Sequence, residues 1–288
     1  MYGAIIGDIV GSRFEFNNIK TKDFELFHPE CRHTDDTVMT LAVAQALVRC
    51  RAAGTHFKKE LVPSMKELGR AYPWAGYGSR FKRWLCSDRS KPYKSYGNGS
   101  AMRASPCGWV ASSQKEAIDL GYDSAVVTHN HPDGLDGGVM ASELVWIARN
   151  GGSKQDIRTR IGQVYRVDFT LEEIRPTYSF NETCQGSVPQ AVVAFLESES
   201  FEDAIRSAVS IGGDSDTIAA ITGSIAEAFY GVPDEMKECA RSYLDDRLLG
   251  ILDAFDEMIG YGLAVSNTTD LESGETGPVT RLCERRCL

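Results

Sequence analysis

The sequence predicts an all-α protein, and three observations carry that expectation. Apolar residues recur at helical spacing through most of the chain. The ends of those segments carry helix punctuation, at Gly54, Asn150-Gly151-Gly152 and Gly231-Val232-Pro233. No two alternating runs are joined by a two-residue turn, so no β-hairpin stands out.

In chain order, Val38–Arg51 (VMTLAVAQALVRCR) is apolar almost all round, which predicts a central helix buried on most faces. Helical lengths follow at Glu116–Val127, Gly138–Asn150, Val188–Glu197, Phe201–Val209, Ile218–Tyr230, Asp234–Leu244 and Leu248–Gly262. No repeat of fixed period and no linker divides residues 1–262, so a single domain is expected there. Gly76–Gly78 and Gly97–Gly108 read as loops within it. Residues 263–288 are polar and lose the helical periodicity, and are expected to form a tail without catalytic residues.

Composition narrows the function classes. The 288 residues are 42% hydrophobic and 25% charged, as in ordinary globular proteins. A formal charge of −9 argues against an extended nucleic-acid surface, which needs a basic patch. MYGAIIGDIV lacks the basic start of a signal peptide, and Asp8 interrupts its apolar run. The longest apolar run, Val38–Val48, is broken by Thr40 and Gln45 and falls short of the ~20 residues of a membrane span. A cytoplasmic protein without membrane contact is expected. The eight cysteines form no CxxC pair and read as free thiols.

Two helix starts are acidic. His33-Thr34-Asp35-Asp36-Thr37 precedes the central helix, and Gly212-Gly213-Asp214-Ser215-Asp216-Thr217 precedes Ile218–Tyr230. Capping alone would explain one acid at each start. Contiguous residues of a regular helix point about 100° apart, so Thr-Asp-Asp converges only at an irregular start. Two such starts turned toward each other would crowd four carboxylates, which repel unless cations neutralise them. All-oxygen ligands select hard cations, Mg²⁺ or Mn²⁺, and the charge count suggests two ions. The N-terminal GDIVGSRFE reads as a glycine-bearing turn followed by a further acid, Glu15.

With those segments the sequence resembles the ADP-ribosylglycohydrolase family, of the dinitrogenase-reductase-activating glycohydrolase type. The resemblance rests on GDIVGSRFE (7–15), TDDT (34–37), YGNGSAMR (96–103), TH (128–129) and GGDSDT (212–217), in the family's order. It implies an orthogonal all-α bundle with a binuclear Mg²⁺ or Mn²⁺ centre in a cleft. It further implies Thr34, Asp35, Asp36, Asp214, Asp216 and Thr217 as metal ligands, and Glu15 as the acid beside the metals.

Asn98-Gly99-Ser100-Ala101-Met102 reads either as a simple turn or as a glycine-rich helix start whose amides suit a pyrophosphate. The resemblance implies the second, with Gly97, Asn98, Gly99, Ser100 and Met102 as the ADP-ribose phosphate loop and Thr128 and His129 as substrate contacts. His131 and Asp133 stay unassigned, because third and fourth zinc ligands are lacking. Tyr72–Leu85 reads as core packing plus loop, with Tyr77 as a candidate cleft aromatic. Some relatives carry an aspartate base there; none lies between Trp74 and Leu85, which leaves Glu15, or water activated at the metals, for proton transfer.

The implied reaction is hydrolysis at C1″ of ADP-ribose attached to a protein side chain or other acceptor (a nucleobase, a nucleic-acid end and a small metabolite stay open), without a membrane or an extended nucleic-acid surface. The alternatives are a two-metal nucleotide phosphohydrolase and a non-catalytic ADP-ribose-binding module. A terpenoid synthase is disfavoured, because Asp35-Asp36 is followed by Thr37, Val38 and Met39 rather than completing DDxxD.

Overall fold

The structure is a computed structural model that describes residues 1–260. These residues form helices α1 (Tyr2–Ser12), α2 (Asp35–Ala53), α3 (Phe57–Ala71), α4 (Ser79–Cys86) and α5 (Gly99–Met102). Next come α6 (Ser105–Val110), α7 (Gln114–Val126), α8 (Pro132–Arg149), α9 (Lys154–Ile161) and α10 (Leu171–Ile174). The chain continues through α11 (Cys184–Glu197), α12 (Phe201–Val209), α13 (Ser215–Tyr230), α14 (Asp234–Arg241) and α15 (Asp246–Ile259). Extended pairing among the described residues is confined to one isolated bridge, Gly97 with Thr183. The all-α expectation holds.

The expected helices are present, with ends moved by local chemistry. Helix α2 starts three residues before Val38 because Thr34 is its N-cap, its hydroxyl accepting from the Asp36 amide at 3.3 Å. Helix α8 starts six residues before Gly138: His131 caps it by accepting from the Asp133 amide at 3.3 Å, and Pro132 holds the first helical position. Helix α15 ends at Ile259 with Gly260 as its left-handed C-cap, short of the expected Gly262; the expected tail at 263–288 lies outside the described residues. No helix of the described residues is long and apolar enough to cross a membrane. Cys31, Cys50, Cys86, Cys107 and Cys184 are free thiols.

The N-terminal segment corrects the sequence reading. Its glycines do not form a turn; Gly3, Gly7 and Gly11 lie within the fully buried helix α1. Their spacing of four puts all three on one face, and that face meets α13 backbone to backbone. A Cβ on Gly3 would stand 2.0 Å from the Gly223 carbonyl oxygen, and one on Gly7 2.1 Å from that of Ala219. One on Gly11 would come within 2.5 Å of Asp216. Three glycines weaken a helix by ~1 kcal/mol each relative to alanine, so packing against α13 makes this segment helical. The Tyr2 and Gly3 amides at its start donate to Glu227 of α13 at 3.1 and 2.8 Å. Gly7→Ala is expected to destabilise the protein by ~3 kcal/mol through overpacking, read as a lower Tm, while Gly250→Ala, at an open position inside α15, should raise Tm slightly.

Helices α3, α4, α6, α9 and α10 are not among the expected ones, and α5 and α6 occupy part of Gly97–Gly108, expected as a loop. Pro63 lies inside α3, and aromatics and glycines mask the start of α4. Tyr77 is buried against Phe81, ring centroids 5.5 Å apart, and stands behind the cleft wall that Phe81 forms.

Candidate active site

The α1–α13 contact brings the two acidic helix starts together. Asp8 projects from α1 into the start of α2 and is fully buried. Its oxygens accept from the Thr34 hydroxyl at 2.6 Å, the Thr34 amide at 2.8 Å and the Thr37 amide at 3.0 Å. A carboxylate from a neighbouring helix thus satisfies the Thr34 and Thr37 amides at the start of α2, while the Asp35 amide donates to the Ala75 carbonyl.

At the start of α13, Gly212 and Gly213 have φ of 67° and 80°, values that favour glycine. Asn18 locks this turn. Its side-chain nitrogen donates to the carbonyls of Glu15 and Gly213 at 3.1 and 2.9 Å, and its oxygen accepts from the Gly213 amide at 2.7 Å. Asp214 occupies the N-cap position yet makes no capping bond. Its carboxylate accepts instead from the Asn98 amide group at 2.6 Å. Capping therefore does not account for the second acidic cluster.

The result is a concentration of carboxylates. Ligand atoms of Asp8, Asp36 and Asp216 lie within 4.8 Å of one another, and so do those of Glu15, Asp214 and Asp216. Asp216 belongs to both groups. Asp35 lines the same cleft outside both triads, and Thr217 donates to Asp36 at 3.1 Å. One Asp36 oxygen is buried without any hydrogen-bond donor. Among these acids Asp8 alone has its oxygens occupied by Thr34 and Thr37, which makes it a clamp rather than a free ligand. Glu15, Asp36, Asp214 and Asp216, with Asp35 alongside, fit divalent cations: oxygen donors, excess negative charge and a vacant acceptor atom.

The electrostatics register that excess. Burial first, then the Asp216 charge, pushes Asp35 and Asp36 well above the usual carboxylate range. Asp216 is raised by burial and by Asp214. Burial raises Asp214 to about 6, against the opposing Asp216 and Asn98 hydrogen bonds. Burial and the Asp216 charge raise Glu15 to about 8.

A folded-state pKa above the unfolded one means the folded protein binds extra protons, so stability falls as pH rises. The window runs from the ordinary carboxylate pKa of about 4 up to about 8 for Glu15. Metal-free protein should lose Tm across that window, and Mg²⁺ or Mn²⁺ should raise Tm more at the alkaline end than at the acid end. Melting curves with EDTA that stay flat over this range would contradict the assignment.

The acids share one cleft of about 490 Å³ with the glycine-rich loop, a size usual for small-ligand sites. Gly97, Asn98, Gly99, Met102 and His129 line it, as do Arg103, Tyr93 and Phe180. Ser100 does not: it is buried and donates to the Gly134 carbonyl at 2.6 Å. Thr128 is also fully buried, behind His129, with its hydroxyl 2.7 Å from His129 Nδ1. Asn98 reaches the acidic cluster rather than the loop's open face, donating to Ser187 at 3.0 Å as well as to Asp214. His131 and Asp133 belong to the start of α8, 3.5 Å apart, and join neither acidic triad.

Sequence reasoning missed Asp8, Asn18 and Arg103. An acid inside an otherwise apolar N-terminal run was the available signal for Asp8. Arg103 closes the quoted motif YGNGSAMR, and Asn18 carried no signal of its own.

Comparison with known proteins agrees with this geometry. The ADP-ribosylglycohydrolase family model matches residues 1–261. Human ADP-ribosylhydrolase ARH3 is 25% identical over 327 aligned positions, covering 86% of this chain and 89% of the relative. ADP-ribosylarginine hydrolase Tri1 of Serratia proteamaculans is 23% identical, covering 80% and 70%. A solved structure described as an ADP-ribosylglycohydrolase-related protein complex superposes with a TM-score of 0.61 at 23% identity, over 90% of this chain and 92% of that one. The fold is shared with that structure, the acidic cluster is one that could hold metal, and the chain is a hydrolase belonging to the ADP-ribosylglycohydrolase family.

Proposed function

We propose that this protein hydrolyses the bond between C1″ of ADP-ribose and an acceptor group, with two divalent cations, Mg²⁺ or Mn²⁺, in the acidic cleft. The observation that carries the reading is the Asn98–Asp214 bond: it ties the glycine-rich loop to a cluster of carboxylates in one cavity. Asp36 and Asp216 would hold one cation, with Thr34, Asp35 and Thr217 around them. Asp214 and Asp216 would hold the other beside Glu15. Such cations supply Lewis-acid charge that orients ribose hydroxyls and lowers the pKa of a water.

The chain's own residues do the rest. Glu15 sits beside Asp214 and Asp216 and takes the proton of the attacking water; a neighbouring cation favours its carboxylate form despite burial. Glu15 passes that proton on to the departing acceptor, and C1″ gains oxocarbenium character as the bond breaks. The Gly97 amide donates to the Ser95 hydroxyl at 3.3 Å, and the amide of Gly99, at the start of α5, suits the pyrophosphate. That remote half of the substrate contributes binding energy to the reacting bond.

The relatives' names cover ADP-ribosylated substrates generally and ADP-ribosylarginine in one case. Free ADP-ribose is accordingly expected to bind the metal-loaded protein and to inhibit competitively. Peptides carrying ADP-ribosyl-arginine or ADP-ribosyl-serine are to be compared with and without EDTA. Calorimetry that finds no ADP-ribose binding at ~1 mM with Mg²⁺ present, a free energy weaker than about −4 kcal/mol, would overturn the assignment.

A further inference from the structure

Arg103 is the most deeply buried cation beside the cleft, and its surroundings are unusual. It is 1% exposed, and no carboxylate pairs with it among the described residues. The ionisable groups around it are Tyr93, Cys107 and Cys184. Burial raises all three, so they stay neutral at pH 7. Burial lowers Arg103 itself only to about 10, which leaves it a cation. A buried charge without a partner is costly to keep, and one side of this residue borders the cavity proposed for an anionic ligand.

One of its two hydrogen bonds leads on to His129. Arg103 donates to the Ser124 carbonyl at 2.8 Å and to the Thr128 hydroxyl oxygen at 2.9 Å. Guanidinium can only donate, so the Thr128 oxygen accepts there. The hydroxyl proton then has one acceptor within reach among the described residues, His129 Nδ1 at 2.7 Å. A ring that accepts at Nδ1 carries its proton at Nε2. The Nε2–Cε1 edge of His129 faces the glycine loop: Cβ atoms built on Gly97 and Gly99 would lie 3.9 and 3.7 Å from Nε2. Burial, then the Arg103 and Arg80 charges, hold this imidazole neutral, against a hydrogen bond with the Gly97 backbone.

We propose that Arg103 and Thr128 are positioning residues that fix His129 in its Nε2–H tautomer, so that a hydrogen-bond donor and an unpaired positive charge stand under the pyrophosphate loop. The proposal rests on the ADP-ribose reading for its ligand but not for its tautomer. His129 itself is the group at the cleft; Arg103 and Thr128 act through it. A neutral donor there, with the buried Arg103 charge behind it and the exposed Arg80 guanidinium on the cleft wall, attracts a diphosphate.

The test is ¹⁵N NMR of histidine-labelled protein in the presence of Mg²⁺, with the His129 ring assigned by its disappearance in His129→Gln. Wild type should show Nδ1 unprotonated and Nε2 protonated at neutral pH; the reverse pattern, or an imidazolium, would overturn the proposal without any variant having to fold. Thr128→Val removes the bridging hydroxyl at nearly constant shape. It should let the Nδ1–H tautomer appear and weaken ADP-ribose binding roughly tenfold, while Mg²⁺ stoichiometry is unchanged. Thr128→Ser keeps the hydroxyl and should restore both the ring pattern and the affinity. An unchanged His129 tautomer in a folded Thr128→Val protein would remove the relay. If wild type shows the Nε2–H pattern yet binds no ADP-ribose, the relay stands and the functional reading fails instead.

Discussion

Asp216→Asn should abolish turnover. Asp216 alone belongs to both carboxylate triads, so its loss weakens both proposed cation positions at once. Removing several kcal/mol of transition-state charge stabilisation predicts a fall in kcat/KM of ~10³ or more. The same substitution relieves repulsion, because burial and the Asp214 charge already hold Asp216 well above the usual range. In EDTA at alkaline pH the variant should therefore melt no lower than wild type. This pairing of lost activity with preserved metal-free stability separates a ligand from a structural residue. Full metal occupancy with normal turnover in Asp216→Asn would remove the central assignment.

Glu15→Gln should lower kcat by roughly 10² or more, the usual contribution of a positioned general base. Gln keeps the shape of the protonated acid, the form favoured at neutral pH without metal, where Glu15 titrates near about 8. Folding should be little affected, and ADP-ribose affinity should change by no more than about threefold, since ground-state binding is not what the base supplies. The measurement is a kcat and KM pair on an ADP-ribosylated peptide alongside calorimetry with ADP-ribose. An unaltered kcat would assign proton transfer to another group in the cleft.

The parts of the site legible in the sequence are those where polar residues interrupt an apolar pattern in a run. Asp35-Asp36 and Asp214-Ser215-Asp216 stood out because several acids at one helix start exceed what a cap requires. The glycine loop was legible for a similar reason: Gly97 and Gly99 flank one asparagine just before a helix. Asp8 was not, because a single acid in an apolar segment looks like an interruption, and its partners Thr34 and Thr37 are 26 and 29 residues away.

Helix patterns with strong local propensity, such as Val38–Arg51, were fixed by composition and periodicity alone. Helix α1 was not, since Gly3, Gly7 and Gly11 disfavour a helix locally and favour it only against the carbonyls of Ala219 and Gly223. Direction was likewise beyond local pattern. Thr128 and Ser100 lie in the right motifs, yet the surrounding helices turn both inward, while Asn98 turns from the loop toward Asp214. The sequence by itself determined the helical class, the acidic starts and the glycine loop, because each is encoded within a few neighbouring residues. Only the tertiary structure decided which side chains face the cleft and which acids meet, because those distances are set by helices far apart in the chain packing at backbone contact.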